Sequence, residues 1–388
     1  DWLSHLRLEG KFRVDQLAFK TKNGMKISLA QIEAPWKIES PQDQMLCFMK
    51  AKWAGSKADS NAGLAATLRV DHWLHDLQTA FHEAKFELST ELRSLSFSML
   101  SDWLGVTDLT PVLGEALDLD LKTSFDFSHI EPGYWDMHMD SSLFHAKARL
   151  KLDESLTLYQ SNKPTAEIRW TLTPEGYAYL AALRGWTTLP HLAKSVVWDV
   201  YLTDLDIPLK EVSQSNRQGK IVGRCETTDW KWDEMGTFGC RAHILFAAST
   251  FLKEWQISTD LFPSQDLPQI PLFSASGTCS ADTPYTFNPA MTNIQARCEA
   301  KNFPLSLCKK MLIFSPQLFE PLEAFLGETL YATADCALSR GQGTVVMHLD
   351  STSTSANFIG AIEEGGVVLK EPLKISTTLS PQLITWAS

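Results

Sequence analysis

Apolar and polar residues alternate with period two along much of this chain, the signature of strands with one dry and one wet face. Leu6, Leu8, Phe12 and Val14 alternate with Arg7, Glu9, Lys11, Arg13 and Asp15. Asn23-Gly24 then supplies a turn that tolerates positive φ, and Met25, Ile27 and Leu29 form the returning strand of a hairpin. A further strand is expected over Ile32, Ala34, Trp36 and Ile38. The same pattern places Ala146, Ala148, Leu150 and Leu152 opposite His145, Lys147, Arg149 and Lys151, and sets Ala166, Ile168, Trp170 and Leu172 against Glu167, Arg169 and Thr171. Later come Val345, Met347 and Leu349, then Leu373, Ile375 and Leu379, separated by the turn signal Glu363-Glu364-Gly365-Gly366. Alternation of this kind fits antiparallel strands.

Helices are expected as short interruptions. Thr173-Pro174-Glu175 reads as a cap followed by proline at the first helical position, with Gly185 as the stop. Ser315-Pro316 opens a second candidate ending at Gly327, which Pro321 would kink or shorten, and a third covers Leu95 to Leu104.

The punctuation repeats. Leu113-Gly114-Glu115 matches Leu326-Gly327-Glu328, 213 positions later; Met137-His138-Met139-Asp140-Ser141 matches Met347-His348-Leu349-Asp350-Ser351, 210 later; Leu172-Thr173-Pro174 matches Leu379-Ser380-Pro381, 207 later. Order is kept and the drift is small, so the expected fold is a curved antiparallel β-groove built from repeats of roughly 210 residues, mainly β with short interspersed helices. The expected division is a first repeat over 1–185 and a second over 186–388, truncated at the start of its last helix.

Composition narrows the function. Of 388 residues, 35 are Lys or Arg and 46 Asp or Glu, a net charge of −11, which argues against nucleic-acid binding because phosphate contacts need a basic surface. No apolar run approaches the roughly 18 residues of a membrane-spanning helix. The chain opens on Asp1 without Met or an apolar leader, and the expectation is a processed protein or a piece of a longer one. Seven scattered cysteines contain no C-x-x-C pair; Cys279 with Cys298 and Cys225 with Cys240 are candidates for bridges between strands, against the commoner role of a buried free thiol.

Catalytic motifs are missing: there is no nucleophile elbow, phosphate loop or H-E-x-x-H, and Arg340-Gly341-Gln342-Gly343 reads as a hairpin turn. Asp136, His138 and Asp140 project from one strand face, where solvated polar residues are the commoner reading and a metal cluster the sharper one. His72, His75 and His82 form no fixed ligand pattern. No enzyme activity, metal or cofactor is expected, and a metal hydrolase around His138 is the least favoured reading.

The dry rows have to meet something, because leaving them in water costs roughly 25 cal/mol per Å². Helices are too few to cover every strand, so apolar ligands are the expected complement. The opening Leu8-Glu9-Gly10-Lys11-Phe12-Arg13-Val14-Asp15-Gln16-Leu17 and the run Phe303-Pro304-Leu305, Phe325-Leu326-Gly327-Glu328, Gly343-Thr344-Val345-Val346-Met347 and Leu379-Ser380-Pro381 resemble the AsmA-like and TamB-like envelope proteins of Gram-negative bacteria. That resemblance implies a β-groove, an inner-membrane anchor outside this chain and a periplasmic location. It also implies phospholipid carried between inner and outer membranes, with an outer-membrane protein as a possible partner. The expected lipid contacts are Phe12, Val14, Ile27, Leu29, Leu150, Ile168, Trp170, Val345, Met347, Leu349, Leu373 and Ile375, with Trp36 and Trp170 as walls or core. The alternative is a structural or interaction protein of the envelope whose sheets close on each other as sandwiches without lipid.

Overall fold

A computed structural model describes residues 7–20, 26–40, 44–53, 62–71, 84–104, 107–126, 133–153, 155–159, 166–183, 185, 191–208, 219–231, 239–249, 254–263, 271–281, 292–305, 326–363 and 366–378. Among them the fold is mainly antiparallel β, with short helices between groups of strands. Contacts divide the chain into two units, residues 1–171 with 201–217 and residues 172–200 with 218–388.

In the first unit, β1 (Leu8–Lys20), β2 (Lys26–Ser40), β3 (Gln44–Trp53), β4 (Gly63–Asp71) and β5 (Lys85–Ser96) form a meander, each antiparallel to the next. Helices α1 (Phe97–Leu104) and α2 (Thr110–Leu113) follow, and β6 (Ala116–Asp126), β7 (Gly133–Asp140) and β8 (Phe144–Leu152) continue the meander from β5. The far edge of β8 is shared. β9 (Ser155–Leu158) pairs with Leu150–Leu152, while β10 (Ala166–Leu172) pairs with Phe144–Ala148. The last residues of β11 (Val196–Pro208) pair with β9.

The second unit opens with α3 (Pro174–Leu183). Thr173 Oγ1 accepts the Gly176 N–H at 3.0 Å, Pro174 sits in the first turn, and Gly185 at φ 69° ends it. Strands β12 (Lys220–Thr227) and β13 (Trp230–Lys231) share one edge of β14 (Gly239–Ser249). From β14 a meander runs through β15 (Glu254–Pro263), β16 (Phe273–Ala281), β17 (Thr292–Pro304), β18 (Thr329–Ser339) and β19 (Gln342–Ser351) to β20 (Thr354–Glu363). The edge of β20 is divided just as that of β8 is, between β21 (Gly366–Leu369) and β22 (Lys374–Thr377).

The internal repeat extends to backbone detail. Phe97 N–H bonds Glu115 O at 3.0 Å in one unit and Leu305 N–H bonds Glu328 O at 2.9 Å in the other; Thr171 N–H bonds Leu143 O as Thr378 N–H bonds Ser353 O. Gly114 and Gly327 both have positive φ, and a Cβ there would collide with the hydroxyl of Ser142 or of Thr352. Only glycine satisfies both constraints.

Three non-glycine residues with positive φ mark places where the strand alternation skips. Gln31 (φ 53°), Ser94 (53°) and Asn302 (47°) each lie at a register shift, between Ala30 and Glu33, Leu92 and Leu95, and Ala300 and Phe303. Each is a β-bulge that returns the apolar residue after it to the same face. The expected break between Leu29 and Ile32 is therefore corrected: both belong to one strand, β2, bulged at Gln31. The expected helix from Leu95 begins at Phe97, because Leu95 still pairs with Leu117. Arg340 and Gly341, at φ 51° and 78°, close the two-residue hairpin between β18 and β19 as expected. The candidate helix at Ser315-Pro316, the turn at Asn23-Gly24, residues Leu6, Met25 and Leu379, and the His72, His75, His82 group lie outside the described residues.

The core of the first unit gathers where α1 and α2 meet the sheet. Leu95, Phe97 and Leu117 are buried there, packed by Trp53, Met99, Leu109 and Met139. Ser101 Oγ ties the two helices, donating to Phe97 O at 2.7 Å and accepting the Leu109 N–H at 2.9 Å. In the second unit Leu192, Val196 and Cys240 are buried under Tyr177, Trp198 and Trp230, the two indoles meeting edge to face at 5.6 Å.

Candidate functional site: an apolar sheet face

Residues directly opposite in antiparallel strands share a face, so the register defines what each side of the sheet presents. In the first unit Met49, Ala66, Thr90, Leu121, Met137, Ala148 and Ala166 stand side by side from β3 to β10. One residue along each strand, on the reverse, the row reads Lys50, Ala65, Glu91, Asp120, His138, Lys147 and Glu167. In the second unit Cys225, Ile244, Thr259, Ala275, Cys298, Ala334, Met347 and Phe358 share a row, backed by Glu226, His243, Asp260, Ser274, Glu299, Thr333, His348 and Asn357. Each unit thus has one apolar and one polar face.

The expected contact residues fall on these apolar rows. Phe12 and Val14 stand opposite Ala34 and Ile32, and Leu29 stands between Leu17 and Trp53. Leu150 faces Trp135 and Leu158, and Ile168 faces Ala146. Val345, Met347 and Leu349 face Gly360, Phe358 and Ala356, and Ile375 extends the last of these rows from β22. Leu373 lies just before β22; the Ile27 side chain is outside the described residues although its backbone pairs with Phe19. The register groups these residues by unit, into two sets.

Burial along the rows is uneven. Val70 is fully buried, whereas Phe12 is 61% and Ile375 59% exposed, and Trp135, Ile168, Met347 and Leu373 are also exposed. Polypeptide covers part of the face: Trp170 turns its Nε1–H to Val112 O in α2 at 2.8 Å, and the Trp36 ring lies across Gly10. Trp170 is therefore anchored by the chain itself, opposite Phe144.

The reverse face is organised by charge pairs. Lys11 contacts Glu33 at 3.0 Å, Arg93 contacts Asp120 at 2.5 Å, and Lys147 contacts Glu167 at 2.5 Å. Hydrogen bonding and charge from Lys11 hold the Glu33 carboxyl below its usual range. Exposed pairs of this kind contribute little stability and chiefly keep the face wet.

Six cysteines among the described residues are free. The candidate bridges are not formed, and the commoner reading of free thiols holds for these cysteines: register puts Cys279 opposite Ile294 and Cys298 opposite Ala275, while Cys225 faces Ile244 and Cys240 faces Trp230. Both pairs are several residues out of step, beyond the reach of a disulfide. Burial pushes the Cys225 and Cys240 thiols up to about 11, with carboxylates nearby adding to the shift.

On the polar face of the first unit, His138 and Asp140 from β7 meet His145 from β8. His138 Nε2 lies 3.1 Å from Asp140 Oδ2, His145 Nδ1 lies 2.6 Å from Asp140 Oδ1, and the imidazoles meet edge to face at 4.9 Å. Asp136, grouped with this pair by sequence spacing, lies two residues further along β7, opposite Arg149. His145 was not singled out by that spacing; a two-residue turn at Ser142-Leu143 places residue 145 opposite 140, so D-x4-H across a predicted turn is the signal that finds it.

No protein-family model, curated protein or solved structure matches the chain. The register itself defines the class: an antiparallel β protein with one apolar face in each of two repeated units.

Proposed function

We propose that this chain shields the acyl chains of phospholipids against the apolar faces of its two units, as a periplasmic segment of an envelope protein working between inner and outer membranes. The observation that carries the reading is the run of apolar rows through successive strands with large side chains, Phe12, Met347 and Ile375 among them, left exposed. Monomeric proteins seldom leave such surface in water without a partner for it. Contact along a row is nonspecific, so acyl chains bind by area and slide. The reverse face offers charge to water.

A second reading has its own support. α1, α2 and Trp170 seal one corner of the first unit with polypeptide, as a scaffold without cargo would require. Organic extraction of the purified chain followed by mass spectrometry separates the two. Co-purifying phospholipid, together with photolabelling of Phe12 and Met347 but not of Lys147 by a diazirine fatty acid, is the expected result. A lipid-free chain with no labelling on the apolar rows overturns the proposal and leaves the scaffold.

A further inference from the structure

We propose that His138, Asp140 and His145 form a binding site for a divalent transition-metal ion, with Zn2+ as the ion of best fit. All three donor atoms lie within 4.8 Å of one another. Imidazole and carboxylate donors on bonds of about 2.0–2.2 Å stand ~3.3 Å apart around a tetrahedral ion. In the structure each imidazole contacts a different oxygen of the one carboxylate, His138 Nε2 at 3.1 Å from Oδ2 and His145 Nδ1 at 2.6 Å from Oδ1, so both rings already turn a ring nitrogen toward Asp140 and short side-chain rotations bring the three donors around one ion. Two nitrogens and one oxygen select zinc, nickel or copper over calcium or magnesium, which take oxygen. On metal binding each imidazole turns a lone pair to the ion and carries its proton on the other ring nitrogen, Nδ1 in His138 and Nε2 in His145.

The scaffold is stiff. Ser141 Oγ accepts the Leu143 and Phe144 N–H groups and donates to Leu113 O, locking the turn between the two ligand-bearing strands. Asp118, opposite Asp140, adds negative charge beside the site, while Asp120, opposite His138, is paired with Arg93 and the nearby Lys147 with Glu167. Arg169 on the adjoining strand stands opposite His145.

The second unit supplies an internal comparison. His348 and Asp350 occupy the same strand positions, but Ser355 stands where His145 does, and His348 Nδ1 turns instead to Asn357 Oδ1. Convergence of three donors thus depends on His145. The same comparison shows that serine fits this hairpin position, so His145→Ser should fold.

The test is competition titration of the intact chain with Zn2+ against a chromophoric chelator, alongside His145→Ser and Asp140→Asn. The expected result is that both variants lose one equivalent of Zn2+, or bind it more weakly than the roughly 10–100-fold that loss of an outer-shell partner costs, with the far-ultraviolet spectrum retained. Any zinc held by His72, His75 and His82 is common to all three proteins and cancels. Equal stoichiometry and affinity, within about twofold, in wild type and His145→Ser overturns the site and leaves two imidazoles hydrogen-bonded to a carboxylate.

Discussion

Ser141 and Ser351, 210 positions apart, accept the same backbone N–H in their separate units. Each hydroxyl accepts the N–H three residues on, from Phe144 or Thr354, at 2.9 Å; Ser351 donates its proton to Thr354 O at 2.9 Å, whereas Ser141 donates its proton to Leu113 O. Each serine thereby satisfies turn groups that the strand ladders cannot reach. Ser141→Ala and Ser351→Ala should each lower unfolding free energy by about 1–2 kcal/mol, read from urea midpoints. A change below about 0.3 kcal/mol in both would remove the hydroxyls from the list of turn-forming contacts.

The bulges predict an unusual ranking at an exposed site. Ser94 has φ 53°, and its N–H is held by Asp118 Oδ1 at 2.7 Å. Glycine adopts this backbone freely, whereas a β-branched residue is strained. Ser94→Val should therefore be less stable than Ser94→Gly by about 1–2 kcal/mol, the reverse of strand propensity. A more stable valine variant would mean that the bulge relaxes.

The buried thiols give a pH prediction. Folding raises Cys225 and Cys240 from 9.0 to about 11, so the folded state holds their protons more tightly than the unfolded one. Their contribution to stability is complete below pH 9 and is lost as pH rises toward 11. At pH 8 both should resist iodoacetamide until denaturant is added, and thermal midpoints should fall between pH 9 and 11. Rapid alkylation of either in the native chain would contradict its burial.

Exposure on the apolar rows separates structural residues from contact residues. Val70→Ala empties a fully buried position and should cost roughly 1–3 kcal/mol. Phe12→Ser, at an exposed position, should change stability by less than about 0.5 kcal/mol while lowering bound phospholipid. Unchanged lipid content in Phe12→Ser would remove Phe12 from the proposed contacts.

Much of the strand pattern was legible because a wet face and a dry face impose alternation, and the repeated phrases around Gly114 and Gly327 marked equivalent corners. What alternation could not convey was its own interruption. Leu29 and Ile32 differ in parity, which suggested two strands, and only the backbone at Gln31 shows that one strand carries both to the same side. His145 was hidden for a related reason: its partners lie across a turn, and pairing between strands is a tertiary fact. The candidate bridges failed on register, which cysteine spacing does not encode.

Two of the bulges also store a spare residue. Removing Ser94 or Asn302 would restore plain alternation between the apolar residues on either side, since each lies beyond the pairing of its strand with the neighbour on the other side. Gln31 is different, because β1 pairs with β2 in unbroken register across it. Ser94 and Asn302 are therefore where the gene can shorten by a codon without inverting a strand.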